Sequence, residues 1–150
     1  MKASIIFASL CLFLTSAAYA TKLTGDTLAS AERNLTELRY SLEYILSPGK
    51  LLGKIDLTDN NKLAKAVCAQ LGSAVGYANA TSNEITLFSS ENLKINRDFF
   101  NQINVLKQTL ADARNEYCFT QVSDIGRAEI VALKAKKMVL EIYSTLESIR

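Results

Sequence analysis

Apolar residues recur with a heptad period along four segments of the chain, which is the pattern of amphipathic α-helices. The first segment, Thr24–Leu46, carries the stripe Leu28, Ala31, Leu35, Leu38, Leu42 and Ile45. Thr24 or Asp26 offers an N-cap, and Ser47-Pro48-Gly49 ends the helix because proline cannot continue it. The pattern therefore predicts a helix over this segment.

The second helix is predicted to begin after Thr58 or Asp59, either of which offers a cap. Its stripe consists of Ala64, Val67, Leu71, Ala74, Ala78, Thr81, Ile85 and Phe88. Glycines and asparagines lower the helix propensity of its later part, so the pattern alone allows an end near Ala80 or near Phe88.

Two further stripes predict a third helix over about residues 91–118 and a fourth from Ser123 or Asp124 to about Ile149. The third stripe is Phe99, Ile103, Leu106, Leu110, Ala113 and Tyr117. The fourth is Ile125, Ala128, Ala132, Ala135, Val139, Ile142, Leu146 and Ile149. Four such helices with mainly short links predict an all-α, up-down-up-down four-helix bundle.

Residues 1–20 have the layout of a secretory signal peptide, with Lys2 before an apolar run from Ile5 to Leu14 and Ala18-Tyr19-Ala20 as the cleavage site. The apolar run is too short for a spanning helix, which needs about 20 residues. We expect a mature domain over residues 21–150, secreted to the extracellular space or, in a bacterium, to the periplasm.

Two cysteines remain after the predicted cleavage, because Cys11 lies in the signal segment. In an oxidising compartment, Cys68 and Cys118 are expected to form a disulfide; two free buried thiols are the alternative. Both cysteines follow a core position of their helices, and the midpoint between them lies near residue 93. This spacing predicts a disulfide joining helices 2 and 3, with Ser89–Asn92 as the turn and the longer form of helix 2.

The composition excludes several kinds of chemistry. The 150 residues include no histidine, so catalysis by Ser-His-Asp or Cys-His is impossible within this chain. No glycine pattern matches a phosphate-binding loop, and the carboxylates mostly lie on outward helical positions. We expect a non-enzymatic protein without a metal or cofactor.

The charge balance also bears on partners. The whole chain has 17 basic and 15 acidic residues, and loss of Lys2 with the signal leaves a net charge of +1. Neither nucleic acid nor an anionic membrane is an expected partner, since both attract clustered positive charge. A protein partner remains, and we expect the chain to be a monomer or a homodimer.

Side chains outside the stripes are the candidates for binding a partner. Tyr40 and Tyr44 lie four residues apart on the outward face of helix 1, and tyrosine is a frequent interface residue. On helix 4, Ile130, Leu133 and Leu140 extend the apolar arc beyond what one bundle seam needs. Either this arc is a partner surface, or the apolar connection at residues 50–58 covers it. For the tyrosines, the alternative is packing against neighbouring surface side chains.

The small core residues suggest another function. Ala64, Ala74 and Ala78 on helix 2 and Ala128, Ala132 and Ala135 on helix 4 could leave room for a small apolar ligand or lipid. The alternative is that these alanines let the helices approach closely. A carrier is therefore the second functional hypothesis.

Asn34-Leu35-Thr36 and Asn79-Ala80-Thr81 match the N-glycosylation pattern. If the source glycosylates its exported proteins, Asn34 and Asn79 are the possible acceptors.

A bundle with a disulfide between helices 2 and 3 resembles in layout the plant invertase and pectin methylesterase inhibitors. Those proteins also have a cysteine-paired N-terminal hairpin, for which this chain has no cysteines left. This is a likeness of layout only, and fold does not imply function. Export, the rigidity of a bundle and the missing catalytic residues together favour a secreted protein that binds or inhibits another protein through an outer helix face.

Overall fold

The computed structural model describes the backbone of residues 4–48, 59–91, 97–119 and 125–149. Side chains are described for residues 25–48, 59–88, 97–119 and 125–149. These residues form four α-helices: α1 (Ser4–Leu46), α2 (Asn60–Glu91), α3 (Arg97–Phe119) and α4 (Ile125–Ile149). The described part of the chain contains no strand, so the protein is all-α, as the heptad pattern predicts.

The core consists of the residues that the heptad stripes select. On α1 and α3, every residue of the predicted stripe is buried. On α2, Leu63 is buried and Ala64 is half-buried, so the stripe begins one residue earlier than predicted. On α4, the stripe is buried from Ala128 to Leu146, while Ile125 and Ile149 at the two ends are half-buried.

Polar contacts between neighbouring helices show how the helices are arranged. α1 packs against α2 and α4, and α3 packs against the same two helices. Ser30 near the start of the α1 stripe donates to Glu84 Oε1 near the end of α2, at 3.2 Å. Arg127 and Glu116 pair at 2.7 Å where α3 ends and α4 begins.

The direction of the helices follows from pairs of contacts along one interface. Between α1 and α4, Thr36 meets Tyr143 and Glu43 meets Lys136, so residue numbers rise on one helix as they fall on the other. Between α2 and α3, Cys68 is bonded to Cys118 and Ser82 contacts Lys107, so residue numbers again rise on one helix as they fall on the other. Both pairs of helices are antiparallel, which fits the predicted up-down-up-down topology.

The Cys68–Cys118 disulfide joins α2 to α3, as predicted, with its two Cα atoms 5.6 Å apart. Both cysteines are half-buried at the edge of the core. The bond closes a segment with a sequence separation of 50 residues. It therefore holds the two middle helices together at the end of the bundle where α2 begins and α3 ends.

Helix ends differ from the sequence prediction at three places. α1 begins at Ser4 instead of Thr24, because the residues before Thr24 include no glycine or proline that would interrupt a helix. Ser89, Ser90 and Glu91 complete α2, so the predicted turn at Ser89–Asn92 is wrong at those three positions, and α3 begins at Arg97 instead of near residue 91. The predicted caps at Thr58 and Asp124 lie outside the described residues.

Asp59 is the N-cap of α2. Its Oδ1 atom accepts hydrogen bonds from the backbone N–H groups of Asn61 and Lys62, at 3.1 and 3.2 Å. Its carbonyl oxygen accepts the first helical hydrogen bond, from Leu63. The carboxylate thus satisfies two of the N–H groups that a helix start leaves without partners.

Candidate functional site

Helices α1 and α4 bring most of the predicted binding residues onto one side of the bundle. Thr36 lies level with Tyr143, and Glu43 lies level with Lys136. Tyr40, near the midpoint between Thr36 and Glu43 in α1, is therefore level with Val139, the residue before Leu140 in α4. At about 100° of rotation per residue, Leu133 and Leu140 point outward and toward the α1 edge of α4.

We call the outward side chains of Tyr40, Ile130, Leu133 and Leu140 the α1–α4 face. Their exposed fractions are 44% for Tyr40, 68% for Ile130, 59% for Leu133 and 51% for Leu140. Tyr44, one turn after Tyr40, is half-buried and lies on the α2 side of Tyr40, so it is not part of this face. The heptad pattern predicted the tyrosines and the α4 residues on two separate faces, but α1 and α4 are neighbours, so Tyr40 and the α4 leucines lie on the same side of the bundle.

The interface beneath this face is held by polar contacts. Tyr143 donates a hydrogen bond to the Glu32 carbonyl oxygen at 2.9 Å and is also bonded to the Thr36 hydroxyl. Lys136 pairs with Glu43 at 3.2 Å, and Arg39 lies 3.6 Å from the same carboxylate. These contacts hold α1 and α4 at a fixed spacing, so the helices that carry the exposed apolar side chains keep their relative position.

Partial burial changes the acidity of Tyr143. Desolvation raises its pKa above the ordinary value of 10.0, while the hydrogen bond from Thr36 acts in the opposite direction. Tyr143 is therefore an un-ionised structural group at neutral pH, and its hydroxyl serves as a hydrogen-bond donor to α1.

Three exposed apolar residues on other helices and the hydroxyl contacts of Tyr143 were not predicted from the sequence. Leu87 on α2 is 59% exposed, Val105 on α3 is 52% exposed, and Phe119 at the end of α3 is 71% exposed. The outward position of these three residues follows from the same heptad assignment. The contacts of Tyr143 could not be predicted, because the heptad pattern does not indicate which helices become neighbours.

A cleft lies between the end of α3 and the start of α4, and its volume with the open mouth included is about 270 Å³. Its lining is Ala113, Glu116, Tyr117, Arg127, Ala128 and Val131. Of the six small residues that suggested a carrier, only Ala128 borders it. Small-molecule sites are usually about 300–1,000 Å³, so the cleft does not favour a ligand in the bundle core.

The two glycosylation patterns occupy different environments. Asn79 is exposed on α2, whereas Asn34 is half-buried on α1. The hydroxyls of Thr36 and Thr81 are already engaged: Thr36 contacts Tyr143, and buried Thr81 donates to the Tyr77 carbonyl oxygen at 2.9 Å. A glycan is therefore compatible with the folded surface at Asn79, while at Asn34 it would compete with helix packing.

The described residues contain no group of three or more side chains of the metal-binding types placed to hold a metal ion. Among the same residues, no helix combines the length and apolar character needed to cross a membrane.

No protein-family model matches the chain, and no curated protein or solved structure matches it significantly.

Proposed function

We propose that this chain is an exported, non-catalytic helical protein that binds or inhibits another protein through the α1–α4 face. The observation that carries the proposal is the group of exposed side chains Tyr40, Leu133 and Leu140 on one side of two adjacent helices, which Ile130 continues along the outer side of α4. Each of these side chains is at least 44% exposed. Apolar side chains gathered on one side of a domain are typical of protein interaction sites.

The position of the signal segment relative to the bundle supports export. The contact of Ser30 with Glu84 places the end of α2, at Glu91, roughly level with residue 23 of α1. Among the α1 side chains that the structure describes, from residue 25 onward, the first buried one is Leu28. The described core therefore lies after the predicted cleavage site at Ala20, and the Cys68–Cys118 disulfide suits an oxidising compartment.

The proposed binding mode depends on the rigidity of the two helices that carry the α1–α4 face. The core side chains beneath the face, including Leu38, Leu42 and Val139, are fully buried. A rigid helical surface loses little conformational entropy when it binds, so its apolar contacts translate efficiently into affinity. Without histidine or a phosphate loop, occlusion of a partner's site is the form of inhibition this chain is suited to.

Site-specific photo-crosslinking tests the proposal in the compartment of the source organism that holds the mature protein. A photo-reactive amino acid replaces Leu133 or Tyr40, with replacement of Leu87 or Val105 as the control. The control positions are 59% and 52% exposed, which matches the α1–α4 face. We expect one protein to be crosslinked from Leu133 and Tyr40 and not from Leu87 or Val105.

The affinity of the crosslinked protein is then measured with purified components. Leu133→Ser combined with Leu140→Ser should weaken binding at least about tenfold, whereas Leu87→Ser with Val105→Ser should leave it unchanged. Equal crosslinking from both sets of positions, or an unchanged affinity, would show that the α1–α4 face is not the binding site. A discrete small apolar molecule retained in native mass spectrometry would favour the carrier hypothesis instead.

A further inference from the structure

The outward side of α4 carries a second heptad stripe, opposite the stripe that faces the core. Its large apolar members are Ile130, Leu133 and Leu140, with exposed fractions of 68%, 59% and 51%. Lys137 lies between the two leucines in the same stripe, so the spacing from Ile130 to Leu140 alternates between three and four residues. This is the spacing of a coiled-coil seam. The outward side of α4 is therefore suited to pack along another helix.

The residue types of the stripe indicate how many helices meet there. In coiled-coil notation, Ile130 and Lys137 occupy a positions, and Leu133 and Leu140 occupy d positions. In parallel coiled coils, isoleucine at a with leucine at d favours two strands, and a single lysine at an a position fixes the register at a cost in stability. The bundle core already holds α4 as a helix, so a short seam has only to join two formed helices.

The charged residues on the two flanks of the stripe match a second copy of α4. Glu129 and Lys136 precede the a positions, on the flank toward α1, where Lys136 pairs with Glu43. Lys134 and Glu141 follow the d positions, on the other flank. In a parallel pair, the residue before an a position faces the residue five positions later on the other helix. Glu129 therefore meets Lys134 of the second copy, and Lys136 meets Glu141 of the second copy, so both contacts are attractive.

An antiparallel pair of α4 helices brings like charges together, because residues of the same flank then face each other. With Leu133 opposite Ile130 of the second copy, Arg127 meets Lys134. With Leu133 opposite Lys137 of the second copy, Lys134 meets its own counterpart. A further shift along α4 leaves Ile130 without an apolar residue opposite it. The charges therefore favour the parallel pair.

The two attractive contacts differ in what they can add. Among the described residues, neither Glu129 nor Lys134 forms an ion pair. Lys136 is 3.2 Å from Glu43, so it would be shared between that carboxylate and Glu141 of the second copy. The contact between Glu129 and Lys134 is therefore the one on which a test should act.

We propose that two copies of the chain associate through the outward stripe of α4, with their α4 helices parallel about a two-fold axis. Leu133 and Leu140 each pack against their own counterparts, and Glu129 pairs with Lys134 of the second copy. This dimer goes beyond the proposed function and needs no other protein. One consequence rests on the proposed function: the stripe belongs to the α1–α4 face, so a second copy covers that face until the partner displaces it.

Sedimentation equilibrium of the mature protein measures the association. The apolar stripe from Ile130 to Leu140 is only about 15 Å long, so we expect a dimer that forms between about 10 μM and 1 mM protein. Leu133→Ser combined with Leu140→Ser should raise the dissociation constant at least about tenfold. Leu87→Ser with Val105→Ser, at positions that are 59% and 52% exposed on other helices, should leave it unchanged.

Charge exchange tests the parallel register. Lys134→Glu should weaken the dimer at least about fivefold at low ionic strength, because the new carboxylate faces Glu129 of the second copy. Adding Glu129→Lys to that variant exchanges the two charges and should return the dissociation constant to near the wild-type value. Lys65→Glu, at an exposed position on α2, is the control and should have no effect. In an antiparallel dimer Glu129 and Lys134 lie on different flanks, so the absence of rescue would overturn the inference.

Two other results would also overturn the inference. One is a mature protein that stays monomeric at about 1 mM. The other is a monomer in which Leu133 is protected from hydroxyl radicals, because the connection at residues 50–58 of the same chain would then cover the stripe. Neither result bears on the proposed function, which has its own test. Photo-crosslinking from Leu133 that yields only a second copy of the chain would support the dimer and contradict the proposed partner.

Discussion

The hydroxyl groups of Thr36 and Tyr143 are hydrogen-bonded to each other across the interface between α1 and α4. Both hydroxyls also approach the Glu32 carbonyl oxygen, at 3.0 Å from Thr36 and 2.9 Å from Tyr143. The Glu32 carbonyl oxygen and the Thr36 hydroxyl oxygen, from one turn of α1, therefore form a compact cluster with the Tyr143 hydroxyl oxygen of α4. This cluster fixes the helices whose outward surfaces form the α1–α4 face.

Replacing Tyr143 with phenylalanine should destabilise the protein at neutral pH. The ring still fills its space, but the hydrogen bond to the Glu32 carbonyl oxygen is lost, which typically costs about 1 kcal/mol. Urea denaturation of the wild type and of Tyr143→Phe measures the difference in the free energy of unfolding. Tyr40→Phe is the matched control, because Tyr40 is exposed and should tolerate the change with little effect.

The same residue predicts a loss of stability in alkaline solution. Burial raises the pKa of Tyr143 above 10.0 in the folded protein, so the unfolded chain releases this proton first as the pH rises. The contribution of Tyr143 is fully present below pH 10.0 and declines as the pH rises through its folded-state pKa. Tyr143→Phe should therefore lose less stability than the wild type over this range. Parallel curves for the two proteins would contradict the assignment.

Heptad pattern was sufficient for the core because burial on one side of a helix is a local property. The stripe of α3, from Phe99 to Tyr117, is buried at every predicted position. The cysteine spacing added one long-range restraint, and the disulfide joins the helices it predicted. Those two signals were enough for the fold class.

The sequence pattern did not predict which side chains of α1 and α4 become neighbours. The contact of Thr36 with Tyr143 joins residues 107 positions apart, and its register depends on how the whole bundle closes. For the same reason, Tyr40 and Leu140 were predicted as outward residues but not as members of one surface. Their common position emerges only when α1 and α4 become neighbours.

The N-cap of α2 predicts a loss of stability in acid. The backbone N–H of Lys62 donates to Asp59, its ammonium group lies 3.3 Å from the carboxylate, and both lower the pKa of Asp59 below 3.8. As the pH falls, Asp59 is therefore protonated in the unfolded chain before it is protonated in the folded protein. The stabilisation by the cap is present above pH 3.8 and is lost as the pH falls through the folded-state pKa of Asp59.

Asp59→Asn tests this cap. Asparagine keeps a side-chain oxygen that accepts the two N–H groups but does not titrate. Thermal unfolding between about pH 2 and pH 6 should show a shallower acid loss for Asp59→Asn than for the wild type. Asp26→Asn, at an exposed position within α1, is the control, and its slope should equal that of the wild type. An equal slope for Asp59→Asn and the wild type would show that the cap is not coupled to folding.

Reduction of the Cys68–Cys118 disulfide should destabilise the bundle substantially. The bond closes a segment with a separation of 50 residues, for which the loop-entropy relation gives about 4 kcal/mol. Urea denaturation with and without dithiothreitol measures the effect. The Cys68→Ser, Cys118→Ser variant should match the reduced wild type and should not respond to the reductant. A wild-type protein that is equally stable in both conditions would mean that packing of α2 on α3 makes the bond energetically redundant.

Two glycines within α2 should be replaceable by alanine with a gain in stability. A Cβ atom added at Gly76 would meet nothing within 4 Å, and one added at Gly72 would meet only Arg114 Nε, at the ordinary contact distance of 3.9 Å. Because glycine costs a helix interior about 0.5–1 kcal/mol relative to alanine, Gly76→Ala and Gly72→Ala should each raise the free energy of unfolding by that amount. Ala80→Gly, on the same helix, should lower it similarly. A destabilising Gly76→Ala, with Gly72→Ala behaving as expected, would mean that the open surface at Gly76 is covered in solution. The outer face of α2 would then be a contact surface.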